Sequence, residues 1–424
     1  MIKKYKNNGN ITLTEQQHKV LPMVCNSNVC ILNGFSGSGK SATTKSLIDM
    51  LNDNNKSFCL FAPTGRAAKI LSEYAKEPAS TIHRGLLYKP PVWGYNEESK
   101  LPYSIVCVDE FSMCDVFLMK HLLEAIDFSK TKLLMIGDSA QVPSVGAGNV
   151  FYDLINSNLI PIVSLTQIFR YGEGGVLTVA TKTRNSEKFL ADSQNPQVFG
   201  NDKGYYFIPM LQEKIVKNVV ALYQKLLSSG TSKENIMILS SYNVGDYGTV
   251  AMNKHLQPIA NPNVLAGNIH VQLGETKFYV NDLIIQSVNN YKAIRYNAEY
   301  IDEDDKTFVA NGEIGKIIKI ENGKLIIQFD ELVIYKKSDL VNIKLAYSIS
   351  ILKSQGGQCE KVIMITPKAH TFMLNSNLMY VAMTRAKQKV FHFGEIETVN
   401  RAIKKKADFN RKTHLKELIN KGGE

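Results

Sequence analysis

Long hydrophobic runs are missing from this sequence. No stretch reaches the roughly 18 apolar residues that a membrane-crossing helix needs, and the opening MIKKYKNNGN has no apolar core of the kind a secretory leader carries. No membrane partner is expected, and the chain is read as cytoplasmic. Cysteine is sparse: the six (Cys25, Cys30, Cys59, Cys107, Cys114, Cys359) form no C-x-x-C pair. That argues against zinc and against a disulfide framework, and fits buried thiols in a reducing compartment. There is a single tryptophan, Trp93. Acid is in deficit, 39 Asp and Glu against 50 Lys and Arg, for a net charge of +11. Such a surplus favours a polyanionic partner, nucleic acid before membrane surface. At 424 residues the chain predicts two or more domains.

What is present centres on Val29–Leu51, VCILNGFSGSGKSATTKSLIDML. An apolar strand, Val29–Leu32, runs into a glycine-rich loop and then a helix. The loop fits G-x-x-x-x-G-K-[ST] with Gly34, Gly39, Lys40 and Ser41. Gly34, Gly37 and Gly39 let the backbone point N–H groups at a phosphate, Lys40 reaches the β- and γ-phosphates, and Ser41 ligates Mg²⁺. The helix that follows adds its positive dipole end. A chance match is the weaker reading, because the strand before and the helix after are the context this motif requires.

Further along, SFCLFA (Ser57–Ala62) predicts a second buried strand, ending in PTGRAA. Loops at the carboxyl ends of parallel strands bind ligands, so Thr64, Gly65 and Arg66 are candidates for the backbone phosphate of a polymeric ligand. STIH (Ser80–His83) offers two hydroxyls and an imidazole, or simply the cap of a helix. Tyr88–Tyr103, rich in Pro, Gly and polar residues, reads as a small excursion in which Trp93 stacks on a base or packs locally. SIVCVDE predicts a third strand ending in Asp109, the Mg²⁺ carboxylate, and Glu110, the general base, about 70 residues after the phosphate loop. A fourth strand, Lys132–Ile136, precedes GDSAQVPSVGAG, where Gln141 is placed to sense the γ-phosphate and Asp138 to orient the loop. Arg170 is a phosphate clamp candidate.

A second α/β unit is expected to contribute strands Ile236–Leu239, Val362–Ile365 and Val390–Phe393. An all-β insertion interrupts it from about 243 to 344, with Asn311-Gly312 and Asn322-Gly323 as hairpin turns and strands Lys316–Ile320, Leu325–Phe329 and Leu332–Tyr335. KSQGG (Lys353–Gly357) and YVAMTRAK follow; a helical Arg385 is a candidate finger for the nucleotide. The basic tail, Asn400–Lys421, reads as a solvated closing helix.

In order, GFSGSGKS, APTGRAA, STIHR, VDEFSM, GDSAQVPSVGAG, LTQIFR, KLAYSISILKSQGG and YVAMTRAK resemble the motif set of superfamily 1 helicases, in their RecD-like, Dda-type branch, from about Leu13 to Phe393. The resemblance implies an α/β fold of two RecA-like lobes. The first spans 1–87 and 104–165, with a pin-like insertion at 88–103. The second spans 166–242 and 345–424, with an SH3-like β insertion at 243–344. It makes Gln17 the adenine contact, and adds Ser36, Ser38, Ala42 and Gly357 to the nucleotide site. Gln141, Arg170 and Arg385 become γ-phosphate sensors, and Thr64, Arg66, Thr81, His83, Trp93, Lys353 and Ser354 lie along the strand. Two positions depart from the family pattern: Leu352, which cannot hydrogen-bond a phosphate, and Gln358, where a Glu is usual.

The function implied is an ATP- and Mg²⁺-dependent DNA helicase moving 5′ to 3′ on single strands and acting at single/double-strand junctions. It would work as a monomer, with a single-strand-binding or replication protein as a partner. The rival reading is an ATP-gated strand-binding or remodelling factor without processive unwinding.

Overall fold

The computed structural model describes residues 7–8, 11–167, 174–297, 305–408, 411 and 414–421. The chain divides into two compact units, residues 1–172 with 407–424, and residues 173–406.

In the first unit, short runs such as VCILNG, FCLFA, IVCV and KLLMIG are buried almost throughout. Strands apolar on both faces form a parallel sheet sandwiched by helices. The sheet has six strands, in spatial order Ala79–Thr81, Phe58–Ala62, Ile105–Val108, Lys132–Gly137, Val29–Gly34 and Ile162–Leu165, all parallel. This order carries the carboxyl ends of Val29–Gly34, Ile105–Val108 and Lys132–Gly137 to one edge of the core, where the motif loops begin. One core layer packs Val20, Leu21, Leu47, Leu51 and Leu71 against one face. The other layer packs Phe111, Leu122 and Phe151 against the opposite face.

The second unit has its own six-stranded sheet, ordered Ser348–Ser350, Ile236–Ser240, Cys359–Thr366, Ala386–Gly394, Tyr205–Pro209 and Gln197–Phe199. Its pairings are parallel except at the Gln197–Phe199 edge. At its centre His392 is fully buried, with Nδ1 2.6 Å from the Tyr205 hydroxyl and Nε2 2.7 Å from the Thr366 hydroxyl. Burial pulls the imidazole pKa down to about 3. The folded chain therefore keeps this ring neutral, while the unfolded chain takes up a proton below about pH 6.5. Unfolding becomes easier as the pH falls from about 6.5 toward 3. Chemical-denaturant titrations should show stability dropping by as much as about 2 kcal/mol between pH 7 and pH 5 from this group, a drop that His392→Gln should flatten.

The insertion in this unit is a seven-stranded antiparallel sheet, in order Lys306–Val309, Asn290–Arg295, Leu332–Tyr335, Lys324–Gln328, Ile314–Glu321, Leu283–Gln286 and Ile343–Leu345. A separate hairpin, His270–Leu273 with Thr276–Tyr279, precedes it. Asp282 ties the insertion to the helix before it. Its carboxylate accepts from Gln257 (2.6 Å), Asn261 (2.7 Å), the Tyr347 hydroxyl (2.7 Å) and the Tyr279 N–H (2.8 Å).

Four expectations are corrected. Residues 243–268 are not β: they hold the helices Thr249–Ala260 and Pro262–Leu265. Asn322-Gly323 does turn between paired strands, with φ of 50° and 72°, but Asn311-Gly312 joins two strands that are not neighbours. The hairpin that the Pro- and Gly-rich excursion at 88–103 suggests is reduced to a single antiparallel bridge, Lys89 to Val92. The closing helix, Leu415–Lys421, belongs with the first unit, where Leu415 and Ile419 pack on the core and Arg411 donates to the carbonyls of Gly146 and Gly148.

Candidate active site

The phosphate loop is shaped by its glycines. A Cβ on Gly34 would stand 2.5 Å from the Ser38 Oγ, and Gly39 has a φ of 87°, where side chains other than glycine's are strained. The 14-residue helix Lys40–Asp53 starts immediately after Gly39, so its unpaired N–H groups face the loop. The Lys40 ammonium donates to the carbonyls of Gly34 (2.6 Å) and Phe35 (3.3 Å), spanning the loop from within. Ser41 is exposed on the first helical turn, with Ala42 and Ser36 half-buried beside it and Ser38 buried.

Gln17 is buried, and its amide already has two partners. Its Oε1 accepts from the Thr14 N–H (2.9 Å) and its Nε2 donates to the Ser38 carbonyl (3.2 Å). Within the chain it closes a capping box and holds the phosphate loop from behind.

The acids come next. Strand Ile105–Val108 ends in Asp109, whose Oδ1 accepts from the Glu110 N–H (2.8 Å) and whose Oδ2 accepts from the Tyr74 hydroxyl (2.9 Å). Burial raises the Asp109 pKa, while the Glu110 N–H, the Lys40 charge and Tyr74 pull it back. Glu110 itself has a φ of 51°. A bulky residue held in the left-handed region marks a place where the surroundings over-determine the backbone. Here the result is that the Glu110 carboxylate accepts from Gln141 Nε2 at 3.3 Å. Gln141 is buried, and its Oε1 has no hydrogen-bond partner among the described residues. The loop that carries it is pinned twice: the Ala140 N–H donates to Asp138 Oδ1 (2.9 Å) and the Ser139 N–H donates to Asn33 Oδ1 on the phosphate-loop strand (3.1 Å).

One carboxylate and one hydroxyl, Asp109 and Ser41, are hard oxygen donors of the kind that hold Mg²⁺ jointly with phosphates and water. No group of three His, Cys, Asp or Glu side chains that could cage a metal exists among the described residues. These two donors would suit a Mg²⁺ that arrives with a nucleotide.

The strand-contact candidates fare unevenly. Thr64 caps the helix Gly65–Ala75, accepting from the Ala67 N–H (3.3 Å), and Arg66 stands half-buried in its first turn. Thr81 is buried and caps the next short helix through the Arg84 N–H (3.2 Å). Of the two readings of Trp93, the contacts favour local packing: the half-buried indole is 4.3 Å from the Tyr88 ring, 4.3 Å from His121 and 5.4 Å from His83. Burial lowers the His83 pKa, with Asp115 opposing and His121 adding to the fall. Lys89, Pro90, Pro91 and Val92 of this excursion are exposed.

In the second unit, Ser354 is also corrected, since it is fully buried and its hydroxyl donates to the Ile351 carbonyl (2.6 Å). Lys353 lies on the wall of a cavity of about 230 Å³ with Asn243, Thr249, Thr276, Lys344 and Ser350. Burial, then the Lys344 charge, lowers the Lys353 pKa, as expected where two ammonium groups share a partly desolvated space. Asn243, Thr249 and Lys344 were not singled out from the sequence; hydroxyl and amide residues this common carry no signal until the fold gathers them. Arg385 is buried, donating from Nε to the Val381 carbonyl (3.0 Å) and from its two terminal nitrogens to the Gly357 carbonyl (3.2 Å) and the Thr384 hydroxyl (3.3 Å). Arg170 lies outside the described residues. A cavity of about 650 Å³ beside Glu395–Lys404 holds none of these residues.

A phosphate loop on a parallel sheet, with an acid pair at the next strand but one, defines the P-loop NTPase fold. The comparisons narrow the class. An AAA domain matches residues 12–193 and a UvrD-like helicase C-terminal domain matches residues 345–391. The chain is 30% identical over 383 residues to the ATP-dependent RecD2 DNA helicase of Deinococcus radiodurans, covering 90% of this chain and 49% of that protein. It is 25% identical to the RecBCD enzyme subunit RecD of Mycolicibacterium smegmatis, covering 96% of this chain and 76% of the other. The chain thus spans about half the length of the RecD2 relative. In fold it is similar to Pif1 helicase from Candida albicans (TM-score 0.54, 18% identity, 92% and 96% of the two chains). It is also similar to Bacteroides Pif1 in complex with ADP-AlF3 and ssDNA (TM-score 0.53, 18% identity, 90% and 92%). Over most of its own length the chain is thus similar to RecD-type helicases, and its fold is similar to that of the Pif1 helicases.

Proposed function

We propose that the protein hydrolyses Mg-ATP to move along single-stranded DNA, 5′ to 3′, and to unwind duplex at junctions. The observation that carries this reading is the Glu110–Gln141 contact, set beside a half-buried Asp109 and the Lys40 loop. A carboxylate held by a glutamine at the edge of a phosphate site is suited to orient a water and take its proton. Lys40 would hold the β- and γ-phosphates, Ser41 and Asp109 the Mg²⁺, and Gln141 would report the state of the γ-phosphate. Bound Mg²⁺ supplies charge neutralisation on the phosphate oxygens. Catalysis then rests on positioning and electrostatics, because phosphoryl transfer asks little covalent chemistry of the protein.

The relatives support the substrate: RecD2 is an ATP-dependent DNA helicase by name, and the Bacteroides Pif1 structure holds ssDNA. The Lys344 and Lys353 cavity and the net charge of +11 support a groove that grips phosphates. We place the chain as a cytoplasmic monomer, recruited by a single-strand-binding or replication protein.

The test is strand-stimulated ATP hydrolysis as a function of salt. Oligo-thymidylate should raise the rate, and its apparent affinity should fall steeply between 50 and 200 mM salt, by about tenfold or more if several phosphates are neutralised. A rate indifferent to the strand, or an affinity indifferent to salt, would remove the phosphate-tracking groove.

A further inference from the structure

Nothing in the motif set marks Tyr74, yet its side chain touches the residue on which metal binding depends. We propose that Tyr74 is a positioning residue for Asp109, and that the helix Gly65–Ala75 transmits strand occupancy to the metal site through it. The inference rests on the nucleotide-and-strand reading above.

Three elements meet at one hydroxyl. Tyr74 stands in the last turn of the helix Gly65–Ala75, packed against the core that includes Leu47, Leu51 and Leu71. Its phenol donates to Asp109 Oδ2 at 2.9 Å. Thr44, on the phosphate-loop helix, faces the same hydroxyl. With Oδ1 held by the Glu110 N–H at 2.8 Å, both oxygens of the Asp109 carboxylate have a fixed donor, so the group cannot swing. A buried carboxylate that loses one of two donors is freed to rotate and is poorer at presenting charge.

The other end of the same helix is where a strand would be felt. Thr64 is its cap and Arg66 lies in its first turn, and 11 residues of helix are a stiff rod of about 16 Å. Any small shift of the cap on binding a phosphate is carried along the rod to Tyr74, and so to Asp109. By linkage, the strand then changes metal-nucleotide affinity, and the metal-nucleotide changes strand affinity by the same factor.

The experiment uses the full chain, a fluorescent ADP and Mg²⁺, comparing the native protein with Tyr74→Phe, with and without saturating oligo-thymidylate. In Tyr74→Phe the Mg²⁺ concentration for half-maximal tightening of ADP should rise about tenfold, while ADP affinity without metal stays unchanged. The factor by which the strand tightens Mg-ADP in the native protein should shrink toward one in the variant. An unchanged Mg²⁺ titration overturns the positioning role. An equal loss of metal-free affinity overturns it as well, since the whole loop would then be disturbed. An unchanged strand factor overturns the relay. If the native protein itself showed no Mg²⁺-dependent ADP binding, the nucleotide reading would fall, an outcome distinct from failure in the variant alone.

Discussion

Replacing Glu110 with glutamine should lower the turnover of ATP by about 10²- to 10⁴-fold, the range that a positioned general base contributes. Nucleotide and strand binding should persist. The substitution keeps the size and planarity of the side chain, removes the basic oxygen, and leaves an amide that still meets Gln141. Its backbone φ of 51° is unaffected, because the strain belongs to the position and not to the carboxylate. Steady-state hydrolysis with saturating oligo-thymidylate, together with nucleotide binding by fluorescence, separates the two effects. Strand-stimulated turnover near the native rate in Glu110→Gln would take the role of base away from this residue.

The second large effect is expected at Arg385. A guanidinium supplied to the γ-phosphate in P-loop enzymes is worth about 10³–10⁵ in rate, so Arg385→Ala should reduce turnover by about 10³-fold or more while ATP still binds. Its side chain is held by the Val381 and Gly357 carbonyls and the Thr384 hydroxyl inside the second unit. Arg385→Lys should not restore activity, because the point charge of an ammonium lacks the planar fork. Native turnover in Arg385→Ala, with only the melting temperature lowered, would assign the guanidinium to the interior of the second unit alone.

Much of the first unit was legible from residue order because its physics is local. Val29–Gly34, Phe58–Ala62, Ile105–Val108 and Lys132–Gly137 are apolar runs bounded by motif loops, and only a doubly covered parallel sheet buries such runs. The phosphate loop could be read because φ-permissive glycines and a lysine at fixed spacing have few other uses. Legibility failed where a residue's meaning depends on distant partners. Tyr74 is one aromatic on an amphipathic helix until the fold puts Asp109 beside it, and Asn33 is a strand residue until the Ser139 N–H arrives. The helix Thr249–Ala260 hid inside a region read as β, and it contains Pro258, a poor helix former. Asn311-Gly312 shows the limit of turn chemistry: the dipeptide does bend the chain, with Gly312 at a φ of 87°, but the strands it joins pair elsewhere. Trp93 could be read either as a base-stacking or as a packing residue, because two of the three rings beside it, His83 and His121, lie outside its own stretch.

The claim on which all the others depend is that hydrolysis at the Lys40 loop is spent on movement along a strand. It is tested most directly by strand displacement on a short duplex bearing either a 5′ or a 3′ single-stranded tail, with Mg-ATP and with Lys40→Ala as the control. The expected result is displacement on the 5′-tailed substrate, little on the 3′-tailed one, and none with Lys40→Ala. Strand-stimulated hydrolysis with no displacement on either tail would contradict it, and would leave an ATP-gated clamp in its place.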